Sequence, residues 1–524
     1  MTDHPKQMNG AESVVRSLHA DGVDVCFANP GTSEMQFVDA LDRTKLMRCV
    51  LGLFEGVVTG AADGYARMTG KPAVTLLHLA PGFANAAANL HNARKARVPM
   101  LNLVGDHALR HQKYDAPLSA DVAGACAPFS DWVRSGRDAD SFAADAMAGL
   151  AVAKGRAGRI ATLIAPADIG WDEGGKFAAP VPSAEPAPLE EDALNRAAEM
   201  LGARGARDGR AVIIVGNSVL EDTAAMALLH GIAETTGADV LAPTSSRRTE
   251  RGQGRTAIAK IPYPINAALD CLAGYSRAVL VETLPPVAFF AYPGRPSLLL
   301  PEDCDTVTLT GVEGDGPAAL AALAESLGAK AATPRDTPRP PVPQAGGLTP
   351  ALIAAALAHT LPEGAIVVDE AISAGGDTFA AGDSAPPNSW LALTGGSIGI
   401  GIPLSAGAAV ACPDRPVVTL QADGSAMYTL QGLWTQAREG SNVTTIILAN
   451  RSYEILKGEL HNVGAQPGPD ALSMLNLDRP ELDFVALAKG MGVPGRRVED
   501  VRDLMQAVRD AVAEPGPFLI EAMI

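Results

Sequence analysis

Short apolar runs that break off at a loop residue recur from one end of the chain to the other, with stretches of helical character between them. "VDVCFANPG", "AVTLLHLAPG" and "MLNLVGDHA" come first, then "RAVIIVGN" and "SRAVLVETLPP", then "AIVVDEA", "VVTLQADGS" and "TTIILAN". Runs this short and this apolar suit strands buried on both faces, and their alternation with helices is the pattern of parallel sheets joined by crossover helices. An α/β fold is therefore expected, with its chemistry outside the carboxyl ends of the strands, where open α/β sheets bind their ligands.

Two proline-rich stretches interrupt the alternation. "AAPVPSAEPAPLEED" and "AATPRDTPRPPVPQAGG" are poor in large apolar residues and read as extended linkers. A chain of 524 residues can build several hydrophobic cores. Three open parallel-sheet α/β domains are expected, over 1–177, 193–330 and 348–524.

Composition narrows the partners. The formal charge of −17 disfavours a polyanion, and only 4% aromatic residues leave little for base stacking, so no nucleic-acid partner is expected. No apolar run approaches the roughly 20 residues a membrane helix needs, and "MTDHPKQMNGAESVV" lacks a signal-peptide pattern. A cytoplasmic protein without a membrane partner follows. The six cysteines are scattered and read as small buried residues in a reducing compartment.

The sharpest chemical signal lies near the end of the chain. Asp423 and Asn450 each close an apolar run and stand 27 residues apart, about one crossover helix and a returning strand. Both side chains are then expected at one sheet edge. A carboxylate, an amide oxygen and a loop carbonyl are ligands that Mg²⁺ accepts, with phosphate oxygens and water completing the octahedron. A helix starting near Ser425 would offer its N–H groups to the same phosphate. Taken singly, Asp423 would cap a helix and Asn450 would end a strand. "GGSIGIG", Gly395 to Gly401, is glycine-rich without an obvious strand before it, and reads as close helix packing more than as a dinucleotide loop.

"ADGS" followed by "NRSYEIL" resembles the thiamine-diphosphate motif, with Ala422 in place of its first glycine and Arg451 in place of its second asparagine. "FANPGTSEMQFVDAL", "FEGVVTGAADGYARMTGKPA" and "LLHLAPGFANAAANLHNA" are similar to the pyrimidine-binding domain of the thiamine-diphosphate-dependent benzoylformate decarboxylase and acetolactate synthase-like (pyruvate oxidase-decarboxylase) family. That resemblance implies pyrimidine-binding, central and diphosphate-binding domains in this order. It implies metal ligation by Asp423, Asn450 and the Ser452 carbonyl, and cofactor contacts from Gly396, Ile398, Gly424, Ser425 and Tyr453 besides those ligands. Ile398 would prop the bent cofactor.

A thiamine cofactor needs an acid that shares a proton with its aminopyrimidine. Glu55 is the only charge between Val50 and Ala62 and takes that place. By the same resemblance His78 is the active-site histidine beside the substrate, and Thr32 stands where a substrate-contacting serine is found. Benzoylformate decarboxylases carry a second histidine in the middle domain, yet this chain has no histidine between His230 and His359. His107 and His111, placed like a histidine pair of pyruvate decarboxylases, are candidates for the missing proton relay. Thr32, Phe289, Phe290, Tyr453 and Leu456 are candidates for the pocket wall.

The implied reaction is thiamine-diphosphate- and Mg²⁺-dependent decarboxylation of a small 2-oxo acid, with protonation or carboligation of the enamine. The implied assembly is a homodimer or homotetramer with active sites at the subunit interface. Two alternatives stand beside it: a non-catalytic thiamine-diphosphate-binding regulatory protein, which would have no need of Glu55, and a flavin- or nicotinamide-dependent oxidoreductase.

Overall fold

The computed structural model describes residues 8–202 and 210–524. Among the described residues, eighteen strands form three open sheets. The first contains β1 (Val25–Asn29), β2 (Arg48–Leu51), β3 (Ala73–Leu77), β4 (Met100–Asp106), β5 (Trp132–Ser135) and β6 (Ile160–Pro166), in the order β2-β1-β3-β4-β6-β5. β3, β4 and β6 are buried throughout apart from Asp106, as continuous apolar runs in a two-faced parallel sheet should be. The second is built from β7 (Arg210–Val215), β8 (Asp239–Ala242), β10 (Ala259–Lys260), β11 (Tyr275–Val281) and β12 (Asp305–Thr310), in the order β10-β8-β7-β11-β12.

The third sheet holds β13 (Ile366–Glu370), β14 (Asn388–Ala392), β15 (Val417–Ala422), β16 (Val443–Ala449), β17 (Gly495–Val498) and β18 (Phe518–Met523), in the order β17-β18-β16-β15-β13-β14. A seventh strand, β9 (Thr249–Arg251), comes from the middle of the chain and pairs antiparallel with β14. Spatial membership of a sheet thus departs from chain order at one edge. Arg251 anchors this crossing: its guanidinium is buried, pairs with Asp383 at 2.5 Å and stacks 3.4 Å from the Phe379 ring centroid. Residues 178–190 and 331–344 carry no helix or strand, as their proline content requires.

The first and third sheets are joined through two helices. Glu55–Thr69 is buried from Glu55 to Met68, and Gly401–Ala411 from Gly401 to Val410. They approach so closely that a Cβ on Gly64 would overlap the Leu404 carbonyl, and one on Gly407 the Ala61 backbone. "GGSIGIG" itself is a turn that is separated from β14 by two residues and leads into the helix Gly401–Ala411, and its Gly395 lies close to another helix, where a Cβ would stand 2.6 Å from Asn92 Oδ1. The strand β14 was hidden because its run, "NSWLA", is short and opens with two polar residues.

The cysteines need correction. All six are free, but only Cys26 and Cys126 are buried, while Cys49 is exposed because it lies on the edge strand β2.

Candidate active site

At the carboxyl edge of the first sheet, β1 ends in Asn29-Pro30-Gly31 and a single 3-10 turn, Thr32–Glu34. Thr32 is exposed there, whereas Glu34 is fully buried. The Gly31 N–H donates to Glu34 Oε2 at 2.7 Å, and His78 Nδ1 lies 2.9 Å from the same oxygen. Only glycine fits at position 31, since a Cβ would overlap the His78 ring. Burial pushes the Glu34 carboxyl up from its ordinary range, and the Gly31 amide and His78 pull the other way.

His78 follows β3 and stands at the N-cap of the helix Leu79–Ala96. The next residue, Leu79, is held at φ +51°, a left-handed conformation that a leucine adopts only under constraint. Glu55 opens its own helix after Phe54 and is almost entirely buried. Asn85, nearly two turns into the His78 helix, donates to Glu55 Oε2 at 2.9 Å. Gly82, in the first turn of the helix that His78 caps, faces Glu55: a Cβ there would stand 2.8 Å from Glu55 Oε1 and 3.2 Å from His78 Cβ. Glu55 and His78 are therefore brought to one place, on either side of a missing side chain.

His107 and His111 follow β4, the neighbour of β3, at the same edge. Their ring centroids are 5.5 Å apart, with His111 exposed and His107 half-buried with Nε2 unpaired.

In the third sheet, β15 runs into Asp423, which is buried. The helix expected near Ser425 begins at Asp423 and is a single turn, Asp423–Ala426. Asp423 Oδ1 accepts from the Gly424 N–H at 2.7 Å and Oδ2 from the Arg451 N–H at 2.6 Å. Asn450 follows β16, the partner of β15, and its Oδ1 accepts from the Ser452 N–H at 2.9 Å. Asp423 is thus joined to the 450–452 turn, as the spacing predicts. Ser425 Oγ lies 2.5 Å from Gln421 Nε2, and the Tyr453 ring packs where a Gly424 Cβ would be.

The two departures from the motif prove harmless to this frame. Ala422 has ordinary extended backbone, φ −71° and ψ 146°, which tolerates a Cβ. Arg451 is left-handed at φ +57°, contributes its backbone N–H to Asp423, and sends its side chain to Glu481.

These donors suit a Mg²⁺-diphosphate group. Burial pushes the Asp423 carboxyl up, so a cation would relieve a charge that its hydrogen bonds only partly compensate. No group of three or more His, Cys, Asp or Glu suited to a metal occurs among the described residues. One carboxylate, one amide and a carbonyl are few, which fits an ion that takes its remaining oxygens from phosphate and water.

Two family models match the chain: the thiamine pyrophosphate enzyme N-terminal TPP binding domain over residues 8–124, and the C-terminal TPP binding domain over 376–522. A Mycobacterium tuberculosis protein named "Putative acetolactate synthase large subunit IlvX" is 48% identical over 522 residues, covering 99% of both chains. The chain belongs to the thiamine pyrophosphate enzyme family. Benzoylformate decarboxylase of Pseudomonas aeruginosa is 29% identical over 96% of both chains. The thiamine diphosphate-dependent 4-hydroxybenzoylformate decarboxylase of Rhodococcus jostii RHA1 superposes with a TM-score of 0.83 at 26% identity, over 98% of this chain and 99% of that one.

In the second sheet, the ligand edge is filled by one of the chain's own side chains. β7 and β11 are neighbours where the strand order reverses, the usual ligand crevice of an open sheet. Glu282, at the end of β11, turns into it with φ +50° and is buried. Its carboxylate accepts from the Ser218 N–H and hydroxyl, both at 2.8 Å, and from the Gly316 N–H at 2.9 Å. The chain's own acid thus occupies amides that a ligand phosphate would otherwise use.

Sequence reasoning missed Glu34, Asn85 and Glu282. Glu34 sits two residues beyond Thr32 in the very motif that was read; its signal was a charge directly before the amphipathic stretch "MQFVDAL".

Proposed function

We propose that this enzyme decarboxylates a 2-oxo acid, using thiamine diphosphate and Mg²⁺, and that the product is released after protonation or after joining an acceptor carbonyl. The carrying observation is Glu55, held at one oxygen by Asn85 and facing Gly82 and His78 with the other. A non-catalytic cofactor binder has no use for that acid.

When bound, thiamine diphosphate supplies a nucleophilic carbon and an electron sink for the departing carboxylate. Asp423, Asn450 and the Ser452 carbonyl would hold the metal, with Gly424, Ser425 and Tyr453 beside the diphosphate and Gly396 and Ile398 beside the rings. Glu55 holds a proton at Oε1 and returns it. His78, fixed through Nδ1 by Glu34, presents Nε2 to the substrate. Thr32 stands at the mouth. His107 and His111 relay protons in place of the absent middle-domain histidine.

The wall from the middle of the chain is apolar instead. Phe289 packs against Gly396, and Leu284, Val287 and Phe290 leave an exposed apolar rim around a cavity of about 740 Å³ that also contains Gly396 and Ser397. This rim supports a substrate with an apolar side chain. Leu456, exposed on the helix Glu454–Asn462, is kept only as an outer contact. The Glu282 plug argues against the flavin or nicotinamide reading. We further propose a homodimer or homotetramer whose active sites form between subunits, and a cytoplasmic location.

The test is CO₂ release from a panel of 2-oxo acids with and without thiamine diphosphate and Mg²⁺. Cofactor-dependent release is expected, strongest for acids with apolar side chains. A well-folded protein that binds the cofactor and releases nothing from any acid would remove the catalytic claim.

A further inference from the structure

The turn Gly395–Gly401 carries Ile398 from β14 to the helix Gly401–Ala411, and it contains four glycines. Left alone, such a turn would sample many conformations, because glycine surrenders more backbone freedom on folding than any other residue. Here it is fastened on several sides. Glu370, at the end of β13, is buried to 1% exposure, and its carboxylate accepts from the backbone N–H groups of Gly399 at 2.6 Å, Ile400 at 3.3 Å and Gly401 at 2.7 Å. Gln421 Nε2 donates to the same carboxylate at 2.9 Å and to Ser425 Oγ at 2.5 Å, which links this turn to the one carrying Asp423.

A second fastening comes from the helix that begins at His78. Asn92 donates through Nδ2 to the Ser397 carbonyl at 2.6 Å and accepts from the Ser397 N–H at 3.2 Å. His91 Nε2 lies 3.1 Å from the Gly395 carbonyl, and a Cβ on Gly395 would stand 2.6 Å from Asn92 Oδ1. Thr429 closes the remaining side by donating to the Gly399 carbonyl at 2.7 Å. Ile398 stays half-buried between these anchors and has no polar tie of its own.

A carboxylate buried this completely is costly unless its hydrogen bonds are satisfied, and three of Glu370's four donors are consecutive amides of one turn. Its attachments serve the shape of that turn more than the strand it ends.

We propose that Glu370 and Asn92 are positioning residues that lock the Gly395–Gly401 turn, so that Ile398 meets thiamine diphosphate in a single conformation. The proposal rests on the cofactor role assigned above to Ile398. Both residues act through the turn and neither touches the reacting atoms.

The experiment is a double-mutant cycle on the full chain, with the Kd for thiamine diphosphate measured by calorimetry at saturating Mg²⁺, alongside KM and kcat for any accepted 2-oxo acid. Glu370→Gln, Asn92→Ala and Ile398→Ala are each expected to raise the cofactor Kd by roughly tenfold. Combined with Ile398→Ala, either anchor variant is expected to add little further loss, because all three act on one surface. A thermal midpoint alone would not show this non-additivity. Should Glu370→Gln fold poorly, Thr429→Val removes one tie to Gly399 with almost no change in volume and is read in the same cycle. Losses that multiply independently, or a Kd unchanged in Asn92→Ala, would overturn the proposal while leaving the function in place. A wild-type protein that does not bind thiamine diphosphate would overturn the functional reading first, and this proposal with it.

Discussion

The Glu34 carboxyl has no route to solvent, and one of its oxygens, Oε1, has no hydrogen-bond partner. Its pKa is raised by burial, so its neutral form is favoured on folding: the stability this contributes is present in acid and lost as pH rises through the raised value. Glu34→Gln mimics the neutral form. Its thermal midpoint relative to wild type is therefore expected to climb from mildly acidic to alkaline buffer, as calorimetry across that range would show. The same variant should lose about tenfold or more in kcat, since an amide in place of the carboxyl changes the contact with Nδ1 that orients His78. At this scale the sequence is legible where chemistry and chain position coincide. Asp423, Asn450 and Glu55 each stand at a break in an apolar run, and the structure places them at sheet edges. Asn85 and Glu34 do not, because what defines them is a partner 30 or 44 residues away.

Between elements, the closest seam joins the helices Glu55–Thr69 and Gly401–Ala411. A methyl group on Gly407 would press into the Ala61 backbone, which cannot yield as a side chain could. Gly407→Ala is expected to cost about 1–3 kcal/mol in chemical denaturation and to weaken cofactor binding as the two sheets separate. The alternation of strands and helices predicted these elements well. It could not predict β9, a three-residue strand that leaves its neighbours in sequence to pair with β14, because edge pairing depends on which elements meet in space. Nor did it expose Glu282, which ends an ordinary apolar strand. Glu282→Ala leaves the Ser218 and Gly316 amides unpaired and should lower stability by about 1–3 kcal/mol. The purified wild-type protein is expected to show no flavin absorbance; a stoichiometric flavin would contradict the plug.

Across the whole molecule, no helix among the described residues is long and apolar enough to cross a membrane. Exposed apolar residues occur near both candidate half-sites, Met35, Val38 and Leu53 at the first sheet, Met427 and Tyr428 at the third. Burying them in a second copy predicts a dimer or tetramer by analytical ultracentrifugation, and a monomer at micromolar concentration would count against sites shared between subunits. Three sheets and two cofactor-binding regions were readable from strand endings and motifs; how the sheets are fastened was not. The central claim is that Glu55 makes this fold a catalyst. It is tested most directly by comparing cofactor-dependent CO₂ release in wild type and Glu55→Gln, with thiamine diphosphate binding confirmed for both. The account predicts a loss of about 10²-fold or more in kcat with cofactor still bound. Equal rates in the two proteins would contradict it.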